Sequence, residues 1–349
     1  MEAIKSIDDL KPYRVDDFNY DIRLDANESP FNLFGKFKDK IFERLNAIDL
    51  NRYPDTDSNE LRERYAEYVD LQKENIICGN GSDEIIRLII SAFVDCGKCV
   101  LMHTPTFSMY RITTEILKGK AVEVKGDGLF NVSGEKVMEY ASKYNPQVIF
   151  LCNPNNPTGN CFSREDIVKI IEGTNAVVVV DEAYFEFFGE TVVDLVEACD
   201  RLIVLRTLSK AFSLAGARVG FGISSKRIID VLNKVKPPYN LNSVSQMIAC
   251  VYLENTDVVE NCVKIIKEQT VWLFEELLNI EGLKVFNTHS NFIYIESSKK
   301  DKICAALKGN GIAVREFTGD PVLKDGFRIS SGSEQENKLA VELIRKAVN

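Results

Sequence analysis

The sequence predicts an α/β protein, with a large domain built on a mostly parallel central sheet flanked by helices and a small α+β domain after it. Three observations carry the prediction. Short β-rich runs at Val148–Leu151, Val177–Val180, Leu202–Leu205 and Val219–Ile223 read as strands buried on both faces, and helical patterns separate them. Asn156, Asp181 and Lys210 fall just past such runs, where open α/β sheets gather their ligands. Lys236-Pro237-Pro238-Tyr239-Asn240 halts the helix before it and marks a domain boundary. The expected division is an N-terminal arm with part of the small domain over 1–45, a large domain over 46–236, and an interdomain helix with the small domain over 237–349.

A chain of 349 residues, 45% apolar and 27% charged, is large enough to bury two domain cores. Its net charge of -9 argues against a general nucleic-acid binder, because phosphate backbones call for a basic surface. An anionic substrate would instead need a local arginine cluster. Residues 1–17 do not read as a signal peptide, and the longest aliphatic run, Ala176–Val180, is far short of a membrane span. Nine cysteines without secretory features read as reduced thiols, so the expected location is the cytoplasm.

Along the chain, Lys11-Pro12-Tyr13 and Leu24-Asp25-Ala26-Asn27-Glu28-Ser29-Pro30 have the turn-rich look of an irregular arm. Asn51-Arg52-Tyr53-Pro54-Asp55 precedes a helix over 60–69, with Leu61, Tyr65 and Tyr68 at helical spacing. Ile76–Cys78 then leads into Gly79-Asn80-Gly81-Ser82-Asp83, where two glycines allow close backbone approach and a helix opens with free N–H groups. That combination suits a phosphate; it lacks the third glycine of a dinucleotide fingerprint and the Gly-Lys pair of a nucleoside-triphosphate loop. Ser82 equally serves as an ordinary N-cap of an amphipathic helix to Val94, with Ile85, Ile86, Ile89 and Ile90 facing the core.

Cys96-Gly97-Lys98-Cys99, with His103 nearby, has a spacing that suits zinc or thiol chemistry. No second Cys-x-x-Cys completes a closed site, so a tight turn before a strand is the expected reading and no metal is assigned. Phe107, in Thr104-Pro105-Thr106-Phe107-Ser108-Met109-Tyr110, either lies flat on an aromatic ligand or packs in the core. Ser163 opens a helix with cap-like spacing. Beyond the boundary, helices are expected over 243–253 and 257–280 and in a last segment to Val348. Strands are expected over 283–286, 292–296, 312–315 and 327–330.

The most informative stretch runs from Leu205 to Phe221. Lys210 lies there among Thr207, Ser209 and Arg218, between two apolar runs. Desolvation and nearby cations lower a lysine's pKa and let its amine form a Schiff base with a carbonyl, whereas an ordinary lysine would point into water. Asn153-Pro154-Asn155-Asn156-Pro157-Thr158-Gly159 and Asp181-Glu182-Ala183-Tyr184 lie upstream. In motif content, order and spacing, from Tyr13 to Arg328, the chain resembles the fold-type I pyridoxal-phosphate aminotransferases, and among them the histidinol-phosphate aminotransferases.

That resemblance implies pyridoxal 5'-phosphate as cofactor, with Lys210 as the covalent lysine and the general base and acid. Asp181 would hold the protonated ring nitrogen, as a carboxylate favours the cation. Tyr184 and Asn156 would bond the ring hydroxyl, and Phe107 would stack where relatives most often carry tyrosine. Thr207, Ser209, Arg218, Ser82 and Asp83 would surround the phosphate, with arginine meeting two oxygens at once. Tyr53 would reach the neighbouring site of a homodimer. Arg328 would bind the substrate's anionic group, and Arg315 with Tyr13 would complete a phosphate subsite.

The activity implied is transamination between L-histidinol phosphate and 2-oxoglutarate. An aromatic amino-acid aminotransferase or a phosphothreonine decarboxylase would share the same coenzyme site. A coenzyme-sensing regulator would need a DNA-binding domain, for which the segment before Tyr53 leaves no room. A zinc or redox protein would rest on Cys96 and Cys99.

Overall fold

The computed structural model describes residues 20–128 and 130–349. Chain order is β1 (Ile22–Leu24), α1 (Phe34–Leu45), α2 (Asn59–Val69), β2 (Ile76–Asn80), α3 (Ser82–Phe93), β3 (Cys99–Thr104), α4 (Met109–Ile116) and β4 (Lys120–Lys125). It continues with α5 (Gly134–Tyr144), β5 (Val148–Cys152), α6 (Arg164–Gly173), β6 (Val177–Asp181), α7 (Phe185–Phe188), β7 (Leu202–Thr207), β8 (Val219–Ser224), α8 (Lys226–Val235) and α9 (Ser243–Leu253). The last part holds α10 (Thr256–Leu278), β9 (Lys284–Val285), β10 (Phe292–Glu296), α11 (Lys300–Gly309), β11 (Ile312–Glu316), β12 (Gly326–Ser330) and α12 (Glu334–Val348).

The four apolar runs become the middle of a seven-stranded sheet, ordered β2-β8-β7-β6-β5-β3-β4. Strands β4, β3, β5, β6 and β7 are parallel, and β8 runs antiparallel to both its neighbours, β7 and the edge strand β2. Helices cover both faces, so β5 and β7 are buried at every position and carry no polar alternation. A second sheet, β1-β11-β12-β10-β9, is antiparallel except where β1 joins β11. Among the described residues no helix is long and apolar enough to cross a membrane.

Helix α10 serves both lobes. Val259, Val263 and Ile266 pack into the core of the large sheet, while Leu273 and Leu277 pack under the small one. Helix α1, in the stretch read from sequence as arm, packs Phe37 and Ile41 into the large core, with Phe37 edge-on to Tyr252 of α9 at 4.7 Å. The ends of β6 and β7 are tied by a buried pair, Arg206 Nη2 to Glu182 Oε2 at 2.7 Å, with the guanidinium 3.5 Å over the Phe185 ring. Glu182 follows Asp181 and Arg206 precedes Thr207, so this pair fixes the strand ends that carry the site.

Candidate functional site

The carboxyl ends of β3, β5, β6 and β7 face the segment between β1 and α1 and the strands β11 and β12. Asp181 closes β6 and is 3% exposed. Tyr110 Oη donates to its Oδ2 at 2.6 Å and the Ala183 N–H to its Oδ1 at 3.1 Å, but no described lysine or arginine pairs with it. Burial pushes its carboxyl up to about 6, while those two donors pull the other way. A buried carboxylate that borders a cavity and pairs with no described cation suits a ligand that brings the positive charge.

Lys210 follows β7, half-buried, with Nζ donating to the Ala26 carbonyl at 2.8 Å. Burial first, then the charge of Arg328, lowers its ammonium to about 8. Beside it the Ser209 N–H donates to Thr207 Oγ1 at 3.1 Å. Arg218, in a left-handed conformation at φ 55°, pairs with Asp83 at 3.1 Å across the start of α3. Two glycines permit this closeness. A Cβ on Gly81, at φ +78°, would lie 2.5 Å from Arg218 Nη2, and one on Gly220 would lie 2.3 Å from the Ser82 backbone nitrogen. The result is a helix N-terminus, two hydroxyls and a guanidinium around one spot, a donor set that fits a phosphate.

These groups border a cavity of about 120 Å³ whose wall includes Ser82, Asp83, Phe107, Asn156, Asp181, Tyr184, Thr207, Ser209, Lys210 and Arg218. A second cavity of about 240 Å³ shares Phe107, Asn156, Tyr184 and Lys210 with it and adds Asp25, Ala26, Asn27, Arg315 and Arg328. Arg315 and Arg328 are partners across β11 and β12, which aims two guanidinium groups at this space. Arg328 donates to Asn156 Oδ1 and to the Asp25 carbonyl. Together the cavities suit a flat, phosphate-bearing ring under Phe107 and, beyond Lys210, an anionic substrate.

Of the residues singled out from sequence, Tyr53 lies outside both cavities, exposed and stacked on Tyr239 at 4.2 Å. Tyr13 lies outside the described residues. His103 is turned inward: its Nε2 accepts the Cys152 N–H at 3.1 Å, and burial lowers its pKa to about 4, while Cys96 is exposed. Two residues at the site had no role in the sequence reading. Tyr110 reaches Asp181, and Asn27 Nδ2 donates to Tyr184 Oη at 2.8 Å. Both lay inside motifs singled out above, yet their partners are 71 and 157 residues away, so only the fold reveals the pairs.

The sequence matches the family described as aminotransferase class I and II over residues 20–344. It is 40% identical to a histidinol-phosphate aminotransferase of Clostridium novyi over 98% of this chain and 96% of that one. Identity is 42% to the histidinol-phosphate aminotransferase of Caldanaerobacter subterraneus subsp. tengcongensis, over 99% of this chain and 98% of that one. The fold is that of a Sinorhizobium meliloti histidinol-phosphate aminotransferase solved in complex with pyridoxal-5'-phosphate, with a TM-score of 0.86 and 22% identity over 95% of this chain and 91% of that one. A match of this extent, on a chain whose lysine, buried carboxylate and phosphate-fitting helix end meet at one sheet edge, leads to a single conclusion: the chain belongs to the class I and II aminotransferases, on the histidinol-phosphate aminotransferase branch.

Proposed function

We propose that this chain uses pyridoxal 5'-phosphate to move the amino group of L-histidinol phosphate to 2-oxoglutarate, giving imidazole-acetol phosphate and glutamate in histidine biosynthesis. The observation that carries the reading is the pairing of Lys210, with its lowered pKa, with two arginines in register across the same cavity. Bound pyridoxal phosphate supplies the electron sink that makes the substrate's α-hydrogen acidic. Asp181 keeps a proton on the ring nitrogen by presenting a carboxylate that no described lysine or arginine pairs with. The N-terminal N–H groups of α3, with Ser82, Asp83, Thr207, Ser209 and Arg218, hold the coenzyme phosphate; Asp83 acts by orienting Arg218, the pair being 3.1 Å apart.

Tyr184 and Asn156 hydrogen-bond the ring hydroxyl, and Phe107 covers the ring face. Lys210 Nζ takes the proton from the substrate carbon and returns it to the coenzyme carbon; an ammonium lowered to about 8 is partly neutral near physiological pH. Arg328 binds the carboxylate of the amino acid or the phosphate of the amino alcohol, and Arg315, with Tyr13 from the arm, extends the phosphate subsite. Guanidinium forks suit both anions.

The active form in this reading is a homodimer in which Tyr53 serves the partner's coenzyme phosphate, supported by its 78% exposure away from its own chain's cavities. Mixing Tyr53→Ala subunits with Lys210→Ala subunits should restore activity, since one site of each hybrid dimer carries neither defect. The domain division at 46 and 237 is part of the same proposal as it divides the strands, while α1 and α9 pack in the core of the large sheet. Nine free thiols support a reducing, cytoplasmic setting.

The direct test supplies L-histidinol phosphate to the coenzyme-loaded protein without a keto acid. One equivalent of imidazole-acetol phosphate per site is expected, with continued turnover and glutamate formation once 2-oxoglutarate is added. Conversion of phenylalanine, tyrosine or phosphothreonine in its place would overturn the substrate and leave the coenzyme site standing.

A further inference from the structure

Asn27 lies in the segment between β1 and α1, 1% exposed, with a positive φ of 55° that asparagine tolerates better than most residues. Its backbone N–H donates to Ser330 Oγ at 2.9 Å, and Ser330 Oγ in turn donates to Asn27 Oδ1 at 3.1 Å. The Asn27 carbonyl accepts from Asn291 Nδ2 at 3.1 Å. A serine has one proton. Because Ser330 accepts from the backbone, its proton goes to Oδ1, and the amide is thereby locked with Nδ2 facing Tyr184 Oη at 2.8 Å.

We propose that Asn27 is a positioning residue that sets the direction of the Tyr184 proton. The Tyr184 oxygen is already an acceptor on the Asn27 side, so its single O–H is left to donate toward the two cavities that its ring borders. Edge contact with Phe292 at 5.1 Å, at 3% exposure, keeps the tyrosine ring from turning away. Burial pushes the hydroxyl's pKa up, so the proton stays in place at neutral pH. The inference rests on the coenzyme reading of this site, in which the acceptor is the ring hydroxyl oxygen. A donor there stabilises the ionised oxygen and so lowers the pH midpoint of the bound coenzyme's absorbance.

The test titrates pyridoxal phosphate into coenzyme-free protein, then titrates the absorbance of the loaded protein with pH. The proteins are the unsubstituted chain, Asn27→Asp and Asn27→Gly, each with and without Tyr184→Phe. Asn27→Asp keeps the shape but removes the donor, and Asn27→Gly accepts the same positive φ, so one of the pair retains the local backbone whatever the other does.

With Tyr184 present, both variants should weaken coenzyme binding roughly three- to tenfold, the size of one lost hydrogen bond, and raise the pH midpoint. In the Tyr184→Phe background neither should add anything. Unmoved values with Tyr184 present, or equal shifts in both backgrounds, would overturn the inference while coenzyme uptake upheld the site. An unsubstituted chain that takes up no coenzyme would overturn both.

Discussion

Replacing Tyr110 by phenylalanine isolates one interaction at the site. Asp181 has two described donors, Tyr110 Oη at 2.6 Å and the Ala183 N–H at 3.1 Å, opposing a burial that pushes its carboxyl up to about 6. A hydrogen bond to a charged group is worth about 2 kcal/mol, which is roughly one and a half pH units. Without it, the Asp181 midpoint of the coenzyme-free protein should rise to roughly 7.5.

If coenzyme binding needs an ionised Asp181, about half of the unsubstituted protein and roughly 3% of the variant are competent at pH 6, so affinity should fall roughly fifteenfold. Above about pH 8 the two proteins should converge, because both carboxylates are then ionised. Stability shares the sign. The folded carboxyl lies above its unfolded value, so the contribution of this group falls as pH rises from about 4 to about 6 in the parent and to roughly 7.5 in the variant. The assay is coenzyme titration of the coenzyme-free proteins from pH 6 to 9. A loss of affinity that is the same at every pH would refute the reasoning, since that is the mark of damaged packing rather than a shifted titration.

Lys210→Ala should abolish turnover while circular dichroism and the denaturation midpoint stay close to the parent's; near-normal transamination would remove Lys210 from the mechanism. Gly220→Ala should weaken coenzyme binding equally at all pH values and cost roughly 1–3 kcal/mol in denaturant unfolding, because its Cβ meets the backbone at Ser82 and Gly81. Glu182→Leu should lower stability by about 3–5 kcal/mol, read from the urea midpoint, because it leaves the buried Arg206 guanidinium without its carboxylate.

The residues visible from the sequence are those whose signal is local. Asp181 and Lys210 each follow a short, β-branched apolar run that reads as a buried strand, so their place at strand ends needed no knowledge of the partner strands. Ser163, read as a cap, accepts the Asp166 N–H at the start of α6. The pairs Tyr110 with Asp181 and Asn27 with Tyr184 were hidden because a hydrogen bond across a long loop leaves no periodic trace.

Helix α1 is hidden in the sequence for a different reason. Phe34, Phe37 and Ile41 do recur at helical spacing, but Gly35 and the lack of a side-chain cap at Leu33 weaken the start. Only packing against α9 completes that helix. Strand β9 is shorter than the run over 283–286 suggested. Phe286, just past it, still donates its backbone N–H to the Tyr294 carbonyl at 3.1 Å, and its ring packs in a cluster with Phe130 and Tyr294.

The pairing of β1 with β11, Ile22 opposite Ile312, has a consequence for how the molecule is assembled during synthesis. Every residue named on the wall of the smaller cavity lies between Ser82 and Arg218 and has been made well before the chain is finished. The larger cavity also needs Arg315 and Arg328, and the strip over 25–27 that closes it is held by Ser330, 303 residues after Asn27. The wall of the smaller cavity is therefore synthesised before that of the larger one is complete. Residues 22–24 can take their places beside β11 only once residues 312–314 have been made. Contacts of such wide sequence separation are the ones whose closure costs most chain entropy and whose formation is slowest.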